Sequence, residues 1–499
     1  FEKAEDSIQV KSLIDTNDSK NQEREADILI FAISFVKEIV VDSSFLNLYL
    51  KHIQDSCGGS SVIVLFYYEN QKDSSTKYIA LGTVKEQKSG LNKSALIAHI
   101  HISNPSRGHL LALEYIQKKI QKTSINSHNA FCECWHELFF ERGILNYITK
   151  NISDEIQDWY MRSLERVCSD NDKKVNIQEI QMILHRLLIC ILTYFQIREE
   201  HRYKEFDFLQ NIDLFRNIEN FLTFVKQRIP SLYLILFDEK LQNKVFVSDV
   251  LFFGDIENSG LIEILQSYPF TTTENTIYQQ EVSLNPEFLG HVYENILTIK
   301  RKQTGSFYTS QDLVHYMIEE ALIGYFRVQL LKGKYDADIW IEEKIRPLIV
   351  DDEKIECNDT EKEMLLRWAL SCKIIDPSCG CGAFVIGALQ KIQSIIRRLD
   401  SDGLMVKRLS VKKYWLSDST NIQDLILHNC LYGVDIQPLA VQITKIRSLL
   451  LRGTYFEHCN ADWTENFRIG NALYMCDSRE VFFDIDFDND LDEIINEEN

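Results

Sequence analysis

No run in this chain stays apolar long enough to cross a bilayer. The longest strongly apolar stretch, Leu187 to Phe195, falls well short of the ~20 residues a span needs, and His185 and Arg186 adjoin it. No secretory signal is recognisable, so no membrane contact and a reduced, cytoplasmic setting are expected. Positive charge is in deficit: 54 Lys and Arg face 74 Asp and Glu, a net charge of −20. That balance excludes a non-specific nucleic-acid binder built from the whole surface and leaves room for a local basic groove. The 12 Cys lack the paired spacing of a four-ligand zinc site. Cys132-x-Cys134, with His128 and His136 nearby, is too tight for a zinc finger, so buried free thiols and no metal are the expectation. Proline is missing from 140 to 228, as a helical bundle requires.

What is present is globular: 499 residues, 45% hydrophobic and 26% charged. At roughly 150 residues per domain, about three domains are expected. The chain opens on Phe1 and closes on the acidic run 484–499, and the reading expects a piece of a longer protein with a frayed tail.

Residues 27 to 105 read as strands with helices between them: Asp27-ILIFAISFV, Ser61-VIVLFYY and Lys77-YIALGTV. His109 to Lys122 follows as an amphipathic helix, closing an α/β domain over 1–125. Residues 126–235 read as a helical spacer, with helices over Ile156–Val167 and Ile177–Glu199 whose apolar residues recur at three- and four-residue steps. Residues 236–300 read as a connector ending in a helix that Asn285 caps and that runs through Tyr293 to about Ile299. From 301 to 499 strands alternate with helices. Helices are expected at Gln311 to about Leu322, Ala383 to about Leu399 and from Pro438; strands at Lys373–Asp376, Leu431–Asp435 and Phe467–Leu473. That alternation predicts a parallel, doubly wound α/β sheet.

Three motifs in this last part point to a ligand. In Ile374-Ile-Asp-Pro-Ser-Cys-Gly-Cys-Gly-Ala-Phe384 a strand ends at Asp376, and Gly380 and Gly382 allow a tight turn into a helix whose N-terminus faces the ligand. No Gly-Lys-Ser/Thr follows, so it is not a Walker loop, and the third glycine of the dinucleotide fingerprint is replaced. In Gly433-Val-Asp-Ile-Gln-Pro438, Asp435 stands where an acid can accept both ribose hydroxyls; an Asp capping the next helix explains it equally well. Gly305-Ser-Phe-Tyr-Thr-Ser310 offers hydroxyls and an aromatic pair able to cover an adenine or a sulfonium, or is a plain capped loop.

In this order the motifs resemble the adenine-specific DNA methyltransferases of restriction–modification systems, most nearly the large type IIG-like methylases. That family typically reads Gly-Ser-Phe-Tyr-Thr-Pro, Asp-Pro-Ala-Cys-Gly-Ser-Gly-Ala-Phe, Tyr-Gly-Val-Asp-Ile-Asp-Pro and Gly-Asn-Ser-Leu. Here GSFYTS (305–310), DPSCGCGAF (376–384), YGVDIQP (432–438) and GNAL (470–473) hold those places. The stretch from Tyr268-Pro-Phe-Thr to Tyr293-Glu-Asn-Ile-Leu297 is similar to the family's lead-in, and Asn104-Pro-Ser-Arg-Gly-His109 and Asp158-Trp-Tyr160 are more loosely similar. Ser310, Ser378, Cys381 and Gln437 depart from the pattern, the first three by residues small enough to keep the turns.

The resemblance implies a Rossmann-like methyltransferase core over 301–499 with S-adenosylmethionine (SAM) as cofactor. Phe307, Tyr308 and Thr309 would close over it. Asp376, Ser378, Cys379, Gly380 and Gly382 would surround its methionine end. Asp435 would hold the ribose, Ile436 would pack on the adenine and Asn471 would approach the adenine edge. It implies methylation of adenine N6 in double-stranded DNA, held largely by regions beyond residue 499, with partner subunits of a defence system. The family's Asn/Asp-Pro-Pro-Tyr/Phe motif, which polarises the target amine and stacks on a flipped base, occurs nowhere in these residues. The 499 residues alone are therefore expected to bind SAM without methylating DNA. A non-catalytic SAM-binding scaffold subunit and a bifunctional restriction endonuclease–methylase remain alternatives. The latter would need Mg²⁺ held by an acid and a Glu-x-Lys on adjacent strands. Glu86-Gln-Lys88, just after the strand ending at Val84, is a candidate pair; Glu69 is a candidate acid, while Asp27 starts a strand rather than ending one. The plainer reading is an accessory domain that contacts DNA or organises the helical region.

Overall fold

The computed structural model describes residues 8–12, 28–35, 46, 50, 61–69, 77–86, 92–122, 134, 138–139, 143–171, 176–200, 218–237, 245–255, 258–271, 279–281, 283–293, 309, 311–401, 403–406, 421–453 and 462–472. The first part is a six-stranded mixed sheet in the order β1 (Ile8–Ser12), β2 (Ile28–Phe35), β3 (Ser61–Glu69), β4 (Lys77–Glu86), β5 (Asn92–His101), β6 (Gln279–Glu281). β2 and β3 are parallel, which demands a crossover between them; Leu50 within it packs against Gly82 of β4. The expectation of strands separated by helices fails further on. β3, β4 and β5 form an antiparallel meander, with β5 unforeseen. Helix α1 (Arg107–Lys122) then leaves the sheet, two residues longer at its start than expected.

The helical part contains α2 (Gly143–Asp170), α3 (Ile177–Glu200), α4 (Ile218–Arg228), α5 (Pro230–Leu236) and α6 (Leu261–Gln266). Ile144, Ile148, Ile152 and Ile156 of α2 recur every four residues and are all buried, so one helix face supplies the core. By length and composition Ile177–Arg198, at mean hydropathy 1.6, could cross a membrane; 78% of that window is buried against the other helices. The apolar stretch is thus longer than Leu187–Phe195 implied, and α3 lies in the core.

Residues 236–300 are more than a connector. β6 pairs in parallel with β5 of the first sheet. Asn285 does not cap the next helix, α7 (Glu287–Val292): no side-chain cap forms there, and the Asn285 carbonyl accepts from Gln196 Nε2 of α3 at 2.8 Å. Helix α8 (Gln311–Lys332) runs a full ten residues beyond the expected end; no proline interrupts it, and the helix continues through Gly324. After a run of short helical segments over Ala337–Ile349, one of them a π-helix (Ile341–Ile345), comes α9 (Asp359–Ser371), opened by a capping box between Asn358 and Glu361.

The last unit is β7 (Ile374–Asp376), α10 (Ala383–Leu399), α11 (Ile422–Asn429), β8 (Leu431–Asp435), α12 (Pro438–Arg452) and β9 (Phe467–Ile469). The three strands are parallel in the order β7-β8-β9. Parallel pairing with intervening helices is the α/β architecture expected. The described residues contain only these three strands of it, all running onward in one direction, with no reversal of strand order.

Candidate functional site

Register places the carboxyl ends of β7 and β8 side by side, with Asp376 opposite Gly433. Asp376 folds its own turn: its Oδ1 accepts from Ser378 N at 3.0 Å. The chain then crosses to β8, where Cys379 N donates to the Val434 carbonyl at 2.9 Å. Gly380 (φ +52°) and Gly382 (φ +83°) take left-handed backbone, and Gly382 opens α10. A Cβ on Gly382 would lie 2.9 Å from Thr444, so space as well as φ requires glycine; around Gly380 nothing lies within 4 Å.

Asp435 answers the choice left open by the sequence. Its Oδ2 accepts from Gly380 N at 2.9 Å and its Oδ1 from Gln437 N at 2.8 Å. It is therefore neither a plain cap of α12 nor a side chain waiting in solvent. It ties the turn after β7 to the loop after β8. Each carboxylate oxygen keeps a further lone pair for a ligand hydroxyl.

Behind the turn stands α12. Thr444 Oγ1 donates to the Gly380 carbonyl at 2.9 Å, and Arg447, buried one turn later, donates from a guanidinium nitrogen to the Cys381 carbonyl at 2.7 Å. These two carbonyls are thereby satisfied by α12, and the α10 N-terminus is left to present N–H groups.

The elements enclose a cavity of about 410 Å³, within the ~300–1,000 Å³ usual for small-molecule sites. Of the expected residues, Thr309, Asp376, Ser378, Cys379, Gly380 and Asp435 line it, and Ile436 joins them with 58% of its surface exposed. Gly382 shapes the turn beneath without lining the cavity. Asn471 follows Gly470, whose N–H donates to the Asp435 carbonyl at 2.9 Å, and it does not line the cavity. Phe307 and Tyr308 lie outside the described residues.

Burial raises the Asp376 carboxyl above the ordinary Asp range; the charge of Asp435 adds to this and the Ser378 N–H opposes it. Burial, then Asp376 and Asp435, push the Cys379 thiol up to about 12, which removes it as a nucleophile near neutral pH. Sequence reasoning missed Glu287, Gln311, His315, Gln390 and Arg447, which come from α7, α8, α10 and α12. The available signal was a charged residue among apolar positions of a buried helix, as at Arg447 beside Ile443, Ile446 and Leu450.

Among the described residues, the two acids considered for a nuclease, Glu69 and Glu86, are far apart. Glu69 sits opposite Lys77 at the start of β4, whereas Glu86 ends β4 and faces Asn92. At ~3.4 Å per residue the two acids are about 30 Å apart. Lys88 and Asp27 lie outside the described residues, as do His128, Cys132 and His136; Cys134 is buried.

No known family profile matches the chain. Over 197 residues it is 32% identical to a protein of Methanocaldococcus jannaschii that carries the provisional name of a type II restriction enzyme and methyltransferase. The match takes in 38% of this chain and 15% of that relative, so the chain spans a small part of the relative's length. Among solved structures, that of the type IIL restriction–modification enzyme MmeI in complex with DNA aligns over 64% of this chain and 37% of its own, at 15% identity and a TM-score of 0.33.

Proposed function

We propose that this chain is the cofactor-binding part of a SAM-dependent DNA methyltransferase in a restriction–modification system, with adenine N6 in double-stranded DNA as the methyl acceptor. The observation that carries the proposal is the Asp435 carboxylate reaching from β8 to Gly380 N at 2.9 Å, at the mouth of a cavity on the carboxyl edge of parallel strands. The 32% identity to a relative named as restriction enzyme and methyltransferase supports the methylase class and its setting. Such a setting places the protein in the cytoplasm with its DNA.

The residues present fit the cofactor. The α10 N-terminus, beside the open space at Gly380, suits the methionine carboxylate. The remaining lone pairs of Asp435 suit the ribose diol. Ile436, exposed within the cavity wall, offers an apolar face to the adenine. The roles of Phe307, Tyr308 and Asn471 rest on the resemblance alone. Bound there, SAM supplies a methyl group on a sulfonium sulfur. The chain's own part is to hold the ribose, orient the methionine end and shield the site from water; no residue of it is assigned to the base side of the reaction.

Photocrosslinking of radiolabelled SAM to the 499-residue chain tests the proposal. Labelling should be displaced by S-adenosylhomocysteine and not by ATP. Asp435→Asn, which turns one acceptor oxygen into a donor facing an N–H, should cut retention at least about tenfold. Displacement by ATP as readily as by S-adenosylhomocysteine would contradict it.

A further inference from the structure

We infer that Thr444 is a positioning residue for the cofactor: its hydroxyl fixes the peptide unit between Gly380 and Cys381 with the N–H edge toward the cavity. This rests on the cofactor reading above. Thr444 stands in the second turn of α12, wholly buried, and does not itself line the cavity. A threonine or serine inside a helix commonly returns its hydroxyl hydrogen to the carbonyl four residues back. Thr193 of α3, Thr223 of α4 and Ser448 of α12 do so, at 2.8, 2.9 and 2.9 Å. Thr444 instead donates to the Gly380 carbonyl at 2.9 Å, 64 residues away in the chain. Its Cγ2 and Oγ1 also stand 2.9 Å from where a Gly382 Cβ would lie. One buried side chain thus meets both glycines of the turn.

The orientation follows from peptide geometry. The described peptide bonds are all trans, so each C=O and the N–H of the same unit point in opposite directions. The Gly380 carbonyl points into the core, at a side chain outside the cavity wall. The opposite edge of that unit, the Cys381 N–H, therefore faces the cavity that Gly380 and Cys381 line. The adjoining units have anchors of their own: Asp435 holds Gly380 N at 2.9 Å, and Arg447 holds the Cys381 carbonyl at 2.7 Å. Sterics do not fix the unit between them. Gly380 has no Cβ, takes φ +52°, and has nothing within 4 Å of where a Cβ would be. The Thr444 bond selects between two orientations of this unit. The observed one offers an N–H to the cofactor carboxylate, and the reverse would set a carbonyl oxygen against it.

The test compares two ligands by titration calorimetry on the whole chain. SAM carries the carboxylate; 5′-methylthioadenosine keeps the adenosine and lacks the amino-acid end. Thr444→Val keeps the shape and removes the hydroxyl. It should weaken SAM about 3- to 10-fold, the scale of one neutral hydrogen bond, and leave methylthioadenosine within about twofold. Thr444→Ser keeps the hydroxyl and should bind SAM within about twofold of wild type. Retained methylthioadenosine binding shows that each variant is folded. Unchanged SAM affinity in Thr444→Val, an equal loss for both ligands, or as large a loss in Thr444→Ser would overturn the inference and spare the cofactor reading. Wild-type protein that binds neither ligand would overturn both.

Discussion

Asp376 illustrates how one residue's environment separates stability from function. Its carboxyl is half-buried and lies near the charge of Asp435, so the folded protein holds its proton more tightly than the unfolded chain does. The stability contributed by that proton is full below the ordinary Asp range and is lost as pH rises through the raised folded value. Near neutrality the ionised side chain therefore works against folding. Asp376→Asn keeps the acceptor for Ser378 N and removes the charge. The variant should unfold at higher urea than wild type at pH 7, with the gap narrowing as pH falls toward 4, while its SAM affinity drops. A lower midpoint at pH 7 would show that the charge stabilises the unliganded turn. The sequence makes Asp376, Gly380 and Asp435 legible because Asp-Pro, closely spaced glycines and an acid at a strand end are local signals. It hides Glu287 and Arg447. Their places in the cavity wall come from the docking of α7 and α12 on the turn, contacts between residues far apart in the chain.

At the scale of elements, α10 and α8 are held closely by Gly387. A Cβ there would meet Val314 Cγ1 at 2.6 Å and Ile318 Cδ1 at 2.8 Å. Gly387→Ala should therefore force the helices apart, at a cost of about 1–3 kcal/mol in a urea titration despite alanine's better helix propensity. Adding Val314→Ala should recover part of the loss; additive losses would show that the two sites do not share this contact. Elements bounded by Gly, Pro or Asp-Pro are readable to within a residue or two. The helix Ala383–Leu399 and the strand Leu431–Asp435 match expectation. β5 is obscured because Lys, Ser and His break up its alternation. β6, Gln-Gln-Glu, has no strand character of its own and exists through pairing with β5. Glu69 and Glu86 could be judged as a pair only once the register of β3 and β4 was known.

Across the whole molecule, the change along the chain from strands to helices and then to alternating strands and helices is legible from periodicity, and the joins are not. Residues 279–292 stitch all three: β6 onto the first sheet, Asn285 onto α3, and Gly290 onto the glycine turn. Gln442 of α12 likewise donates to the Ile235 carbonyl at 2.9 Å. The helical part should also make the fold acid-sensitive. His185 accepts or donates a 2.7 Å hydrogen bond with the Tyr160 hydroxyl, and burial lowers its pKa to about 4. The unfolded histidine takes up a proton near 6.5. Stability present above that value is therefore lost as pH falls from ~6.5 toward ~4, by up to about 3 kcal/mol. His185→Gln should start less stable and decline less between pH 7 and 4.5 in chemical denaturation; parallel declines would assign the acid sensitivity elsewhere.

SAM is expected to bind in the cavity at the carboxyl ends of β7 and β8. Titration calorimetry of the wild-type chain with SAM tests it most directly, paired with Gly382→Ala, which sets a side chain against Thr444 at a φ of +83°. One site per chain is expected in the wild type, and binding weakened at least about tenfold in the variant, since an L-residue in left-handed backbone costs roughly 1–2 kcal/mol before the clash. No heat of binding from the wild type, or equal binding by both proteins, would contradict it.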